Sequence, residues 1–285
     1  MKWENYKEKK VTIDEAISYG KSKIHSDHAK ILLSDLLNIN SLELLLHLDE
    51  QVPEDILEKY KVEVEAISNN KPIQYALGHI NFYGQNFYIN ENVLIPRFET
   101  EELVEKAISK AKELFNYPVD IIDLGTGSGV IGLTLEQKLD TNRVDLIDIS
   151  EEALQVAQEN IKRLNSKAKT IKSDMLSSIT DKYDIIISNP PYIKDNEEIE
   201  DIVKDNEPHI ALYAGVDGLD YYRKIVSSLK DHLKDKTLIA FEIGCDQSQD
   251  IKELLEKEIE NIEVEIIKDL QDRDRIILAT YNLHK

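Results

Sequence analysis

From residue 12 to residue 68 the apolar positions recur three and four apart, the period of helices packed on one side. In TIDEAISYG, Thr12 and Glu15 stand in capping-box spacing. In SDHAKILLSDLL, Ser26 is the expected cap, and Ala29, Leu32, Leu33 and Leu36 share one face. SLELLLHL is short and strongly apolar. Pro53 in VPEDILEKYKVEVEAIS stands at an expected first helical position. This pattern predicts a small helical bundle over residues 1–75, without internal repeats.

The pattern then changes. INFYGQNFYINENVLIP carries aromatic and β-branched runs on both sides of Gly84-Gln85-Asn86, which predicts a hairpin linker within residues 76–98. RFETEELVEKAISKAKELF is amphipathic, with Thr100 as its expected cap. From PVDIIDLG onward strands alternate with helices. Strands are expected at residues 120–124, 144–148, 170–172, 184–188 and 237–243, and Ser150 caps the helix SEEALQVAQENIKRL. Such alternation predicts a mostly parallel sheet covered on both faces. VEIIKDLQDRDRIILATY reads as two strands joined by a polar turn, so an antiparallel hairpin closes the sheet. The expected class is α/β: a Rossmann-like domain over residues 99–285 with a small N-terminal helical domain.

Composition narrows the classes. The 285 residues are 41% hydrophobic and 32% charged, with no run long enough for a membrane span. MKWENYKEKK has no apolar core, so no signal peptide is expected. Cys245 stands alone, which excludes intrachain disulfides and a cysteine-rich zinc site. No metal is expected, and His28, on a helix, reads as structural. These features suit the cytoplasm. The net charge of −20 disfavours approach to a phosphate backbone.

DLGTGSG, residues 123–129, falls between an expected strand and an expected helix, where open α/β sheets take ligands. A dinucleotide fingerprint would need glycine at 130, where the chain has Val130. Gly125, Gly127 and Gly129 still let backbone approach a ligand, with no Cβ in the way; a bare tight turn is the alternative. Asp148 ends the next strand, 23 residues past Gly125, where a carboxylate accepts hydrogen bonds from a ribose diol. Alone it would pass for an acid near a helix N-terminus. Paired with the loop it marks a nucleoside site. Asp174 and Met175 in KSDML stand on the same rim, where a thioether suits an adenine face or plain core packing equally.

The fourth strand of this domain ends in SNPPYI. Neither proline can donate to a ladder, so the run stops the strand. It also presents a rigid pair of acceptors, the Asn189 side-chain oxygen and the Pro190 carbonyl. Such a pair matches the two N–H donors of a planar amino group and favours positive charge growing on its nitrogen. Tyr192 adds a flat wall.

The loop, the strand-end acid of DLIDIS and SNPPYI together resemble class I S-adenosylmethionine-dependent methyltransferases acting on amino groups attached to sp² carbon. Longer stretches narrow the resemblance. FYGQNFYINENVLIPRFETEELVE, EPHIALYAGVDGLDYYRKI, FEIGCDQ and DLQDRDRIILA are similar to the HemK/PrmC family, the glutamine-N5 methyltransferases of peptide chain release factors. The resemblance covers nearly the whole chain. It implies methyl transfer from S-adenosylmethionine, leaving S-adenosylhomocysteine, to the glutamine amide of the release-factor Gly-Gly-Gln loop, which modulates translation termination. It implies a cofactor site of Gly125, Thr126, Gly127, Ser128, Gly129, Asp148, Met175 and Asn189. It implies that Asn189, Pro190, Pro191 and Tyr192 hold the target, with Asn189, Pro190 and Tyr192 catalytic, while the helical domain grips the protein substrate. Two positions depart from the family pattern: Phe98 stands where proline is usual, and Met175 where an aromatic residue is common.

Asn-Pro-Pro-Tyr also occurs in methyltransferases of adenine N6 and guanine N2, which the acidic charge disfavours. A ribosomal-protein glutamine is a closer alternative. A non-catalytic cofactor-binding module would have no need of the acceptor pair, and a nicotinamide dehydrogenase is disfavoured by Val130. No membrane and no direct nucleic-acid contact are expected.

Overall fold

The computed structural model describes residues 10–282. The first nine residues of the expected helical domain lie outside the described residues. The chain divides into two compact units, one ending at His79 and the other starting at Ile80.

The first unit holds α1 (Ile13–Lys21), α2 (Ser26–Leu36), α3 (Ser41–Leu46), α4 (Glu54–Ser68) and α5 (Ile73–Leu77). Its core is the expected stripe, with Ala16, Ile17, Leu32, Leu33, Leu44, Tyr60 and Val64 buried. Thr12 and Glu15 close the expected capping box, and Asn40 with Glu43 forms a second one. Two caps differ from expectation. Ser26 is the first helical residue, and the His25 ring accepts from the Asp27 N–H in its place. Pro53 is the cap itself, just outside α4. Gly20 of α1 faces the Tyr60 hydroxyl so closely that any Cβ would collide with it.

The boundary falls just inside β1 (His79–Phe82), whose remainder opens the second unit together with β2 (Gln85–Tyr88). The hairpin turn is Tyr83-Gly84, both at positive φ, as a type I′ turn requires. Gln85 and Asn86 therefore belong to a strand and not to the turn. Phe82 and Phe87 are fully buried in the core of this unit, packed edge to face.

α6 (Phe98–Leu114) leads into β3 (Val119–Leu124), α7 (Val130–Lys138), β4 (Thr141–Asp148), α8 (Glu151–Arg163), β5 (Lys169–Lys172) and β6 (Tyr183–Ser188). After α9 (Asp201–Asn206) come α10 (Asp220–Ser228), β7 (Leu233–Glu242), α11 (Ser248–Glu258), β8 (Ile262–Lys268) and β9 (Asp274–Tyr281). The seven strands run in the order β5-β4-β3-β6-β7-β9-β8, all parallel except β9. Successive residues of a strand serve opposite layers: Ile121, Ile185 and Ile187 pack toward α6 and α7, Ile122 and Ile186 toward α10 and α11. Ser150 caps α8 as expected, accepting from the Ala153 N–H.

Candidate active site

β3 lies between β4 and β6, so the connections leaving its C-terminal end diverge and open a crevice there, the place where such sheets bind ligands. The register levels the rim. Leu124 pairs with Ile147 on one side and Ser188 on the other, Asp148 pairs with Lys172, and Ser188 pairs with Phe241. The glycine loop, the strand-end acid, the Met175 turn and Asn189 thereby meet around one cleft of about 890 Å³, counting its open mouth.

Gly125, Thr126, Gly127 and Ser128 line the cleft; Gly129 does not. Gly125 and Gly127 have φ of +68° and +54°, which L side chains rarely adopt. A Cβ on Gly127 would meet nothing within 4 Å, so that face of the loop is bare and open. Gly129 lies beneath, with Leu146 and Ala157 against the place a Cβ would take, and serves the contact between α7 and the sheet. Asn160 braces the loop from behind: its amide donates to the Ser128 carbonyl at 2.8 Å and to the Tyr88 carbonyl at 2.9 Å. Asp123 is fully buried, accepting from Thr126 Oγ1 at 2.7 Å and from the Gly132 N–H at 3.0 Å. Burial pushes its carboxyl up to about 6.

Asp148 lines the cleft, and Gly127 N–H donates to its Oδ2 at 2.9 Å, so the acid holds the loop as well as facing it. Burial raises its pKa against the pull of backbone donors from Ser150 and Gly127. Met175 also lines the cleft, at φ +51°, uncommon outside glycine and asparagine. Its Cε would sit 3.8 Å from a Cβ on Gly125.

From the Asn-Pro-Pro-Tyr run, Asn189 and Pro191 line the cleft, whereas Pro190 and Tyr192 stand off its wall. Ser188 anchors the strand end by donating to the Leu124 carbonyl at 2.6 Å. Asn189 Nδ2 donates to Thr100 Oγ1 at 3.2 Å, and Thr100 donates to Glu242 Oε2 at 2.7 Å. The Tyr192 hydroxyl reaches Glu242 Oε1 at 3.4 Å, while its carbonyl accepts from Gln247 Nε2 at 3.0 Å. Gln247 also donates to the Gly218 carbonyl at 3.2 Å, tying three loops together. The Pro190 carbonyl accepts no backbone hydrogen bond among the described residues.

Several residues of this site escape sequence reasoning. Thr100, expected as a helix cap, lies inside the first turn of α6, because Arg97 is the cap and Phe98 starts the helix. Its hydroxyl serves the site instead. Tyr221, Asn92 and Pro96 also line the cleft; they lie in the stretches similar to the family, but no residue-type pattern singled them out. Glu207, within the EPHIAL stretch, is buried and accepts from Arg97 at 2.5 Å and from the Ile95 N–H at 3.1 Å, joining the segment before α6 to the stretch that brings Pro208 and Ile210 to the cleft.

Comparison with known proteins now bears on this geometry. The family described as the PrmC N-terminal domain matches residues 21–78, and the Methyltransferase small domain matches residues 104–206. The release factor glutamine methyltransferase of Bacillus subtilis (strain 168) is 37% identical over 286 residues, covering 96% of this chain and 99% of the relative. The chain belongs to the release factor glutamine methyltransferase family. A member from Clostridium botulinum is 39% identical over 258 residues, covering 88% of this chain and 90% of the relative. Among solved structures, a methyltransferase from Pyrococcus furiosus aligns with a TM-score of 0.53 at 20% identity, covering 76% of this chain and 96% of that one; this likeness concerns the fold. The second unit is thus a class I methyltransferase domain, and its cofactor is S-adenosylmethionine. Position 98, where the resemblance led to an expectation of proline, is the first of α6, a place where proline costs no helical hydrogen bond. Phe98 itself is 62% exposed. Among the described residues, no helix is long and apolar enough to cross a membrane, and no cluster of metal-ligating side chains occurs.

Proposed function

We propose that this protein transfers a methyl group from S-adenosylmethionine to the side-chain amide nitrogen, N5, of the glutamine in the Gly-Gly-Gln loop of peptide chain release factors. One arrangement carries the reading. Asn189 stands beside the glycine loop with Nδ2 committed to Thr100, so Oδ1 is the atom left for a target nitrogen.

The residues fit the cofactor. The bare backbone of Gly125 to Ser128 would receive its methionine part, Asp148 would accept from the ribose, and Met175 would cover the adenine side. Bound S-adenosylmethionine supplies an electrophilic methyl group. The chain's own task is to present the nucleophile. An amide nitrogen is a poor one, because its lone pair is delocalised into the carbonyl. Asn189 Oδ1 and the Pro190 carbonyl accept its two N–H groups, orient the planar group, and favour positive charge on the nitrogen as the new bond forms. Pro191 completes the wall, and Tyr192, held through Glu242 and Gln247, keeps the run in place. In this reading the helical unit grips the release factor, and the work is done in the cytoplasm.

The test is incubation with labelled methyl donor, full-length release factor and cytosolic RNA, followed by mass spectrometry of the loop peptide. One added methyl on the glutamine nitrogen is expected. An unmodified loop beside labelled RNA would overturn the reading in favour of a nucleic-acid amine.

A further inference from the structure

Glu242 is a buried carboxylate that the proposed chemistry does not itself use. It is the last residue of β7 and 1% exposed. The register of Ser188 with Phe241 brings it beside Asn189. No cation forms a hydrogen bond with it among the described residues. Arg275, whose charge acts on it through space, donates instead to Asp269 Oδ2 at 3.3 Å and to the Ile243 carbonyl at 3.0 Å. A carboxylate kept buried without a direct cation is costly, and such groups cluster where function requires them.

What a carboxylate offers here is direction. It can only accept hydrogen bonds. Thr100 has a single hydroxyl proton, and Glu242 Oε2 takes it at 2.7 Å. The Thr100 oxygen can then only accept from its other neighbour, which is Asn189. The Asn189 amide must therefore turn Nδ2 toward Thr100 and Oδ1 the other way. A neutral group at 242 could donate as well as accept, and the chain would lose its polarity.

We propose that Glu242 and Thr100 are positioning residues that fix the orientation of the Asn189 amide, so that the site offers an acceptor to a target –NH₂ group. This rests on the amide-methylation reading above. With the amide reversed, Nδ2 would face the target N–H groups, donor against donor. The same relay that admits a glutamine amide thus excludes the reversed clamp.

The groups facing the Glu242 carboxyl are Thr100 and Glu99 from α6, Tyr192 from the strand-end run, Tyr222 from α10 and Arg275 from β9. Tyr222 donates to the Glu242 main-chain carbonyl at 2.6 Å and leaves the side chain alone. Burial, with Glu99 adding to it, pushes the carboxyl up to about 7 against Thr100, Arg275 and Tyr192. Protonation removes the fixed direction, so turnover should fall as pH drops toward that value.

The experiment measures kcat, KM and cofactor affinity for T100V, T100S, E242Q and N189A on full-length release factor, with thermal melting to verify the fold. T100V keeps the shape and removes the hydroxyl; kcat should fall about 10–100-fold, the scale of a misplaced reacting group, with cofactor affinity unchanged. T100S should regain most of that loss. E242Q should lower kcat at pH 8 and flatten the acid limb of the pH profile. T100V turning over at the wild-type rate, or T100S as impaired as T100V, would overturn the relay. Should T100V not fold, E242Q decides: a wild-type rate and pH profile overturns the relay. N189A separates the two claims, since wild-type turnover there sinks the acceptor reading itself, whereas an impaired N189A beside an unaffected T100V sinks the relay alone.

Discussion

Gly218→Ala provides a sharp test of how the target clamp is held. Gly218 has φ +75°, and a Cβ there would fall inside the 3.0 Å floor that Cβ atoms keep, against both the Tyr192 carbonyl and Gln247 Nε2. Those two atoms form the 3.0 Å hydrogen bond that fixes the end of the Asn-Pro-Pro-Tyr run. The side-chain end can swing away, but the carbonyl belongs to the backbone. Restoring an ordinary contact of at least 3.4 Å moves that backbone by about 1 Å. A misplacement of about 1 Å at reacting groups costs on the order of 10² in rate. Stability should fall by about 1–2 kcal/mol for the left-handed backbone and about 1 kcal/mol more for the lost hydrogen bond. Gly84→Ala is the matched control: its φ is +80°, yet nothing lies within 4 Å of the added Cβ. It should show the backbone cost alone, read by urea unfolding, with kcat unchanged. Cofactor affinity, measured by calorimetry, should be unaffected in both. A Gly218→Ala protein whose kcat stays within about threefold of wild type would refute the coupling between this turn and the clamp.

Asp148→Ala should weaken S-adenosylmethionine by about 1.5–3 kcal/mol in calorimetry, the scale of hydrogen bonds to charged groups; unchanged affinity in a folded variant would remove the ribose assignment. Gly127→Val should be worse still, because a β-branched residue is forced to φ +54° on the cofactor side of the loop. Asp123 is held near 6 instead of 3.8, so the folded state keeps its proton longer than the unfolded chain; the contribution to stability is full below about pH 4 and is lost as pH rises through 6. Asp123→Asn should therefore gain stability over wild type at pH 7.5 relative to pH 4, by up to about 3 kcal/mol for a shift of two units, and an equal difference at both pH values would contradict it. A release factor carrying Gly-Gly-Glu in place of Gly-Gly-Gln should be rejected by roughly 10⁴ or more, since its carboxylate meets two acceptors with no proton between; methylation of the Glu variant at a comparable rate would dispose of the acceptor pair.

The parts legible in the chain were those written in local patterns. The parallel sheet followed from five apolar runs separated by helical spacing, and the rim followed because ligand loops of such sheets share one end. Gly125, Gly127, Asp148, Met175 and Asn189 therefore met where expected. What stayed hidden depends on long-range pairing. Thr100 looks like a cap because threonine before a helix usually is one; its true partner, Glu242, lies 142 residues away. The turn at Tyr83-Gly84 was missed because an aromatic residue at positive φ defies local preference, and burial of Phe82 and Phe87 settles the register instead. Gly129 looked like its loop neighbours, although its work is to let α7 approach the sheet.

The position of β9 between β7 and β8 has a consequence for the order of events during folding. β9 is the last of the described strands to be synthesised, yet it is interior. Until it arrives β7 is an open edge with unpaired backbone groups, and β8 has no partner at all. Glu242 pairs with Ile276 of this late strand, so the carboxylate behind Asn189 sits on that open edge meanwhile. The nascent chain can assemble its glycine loop early, because β3, β4 and β5 are contiguous in synthesis. On the proposed reading, the carboxylate behind the target clamp is therefore enclosed only once β9 has paired with β7.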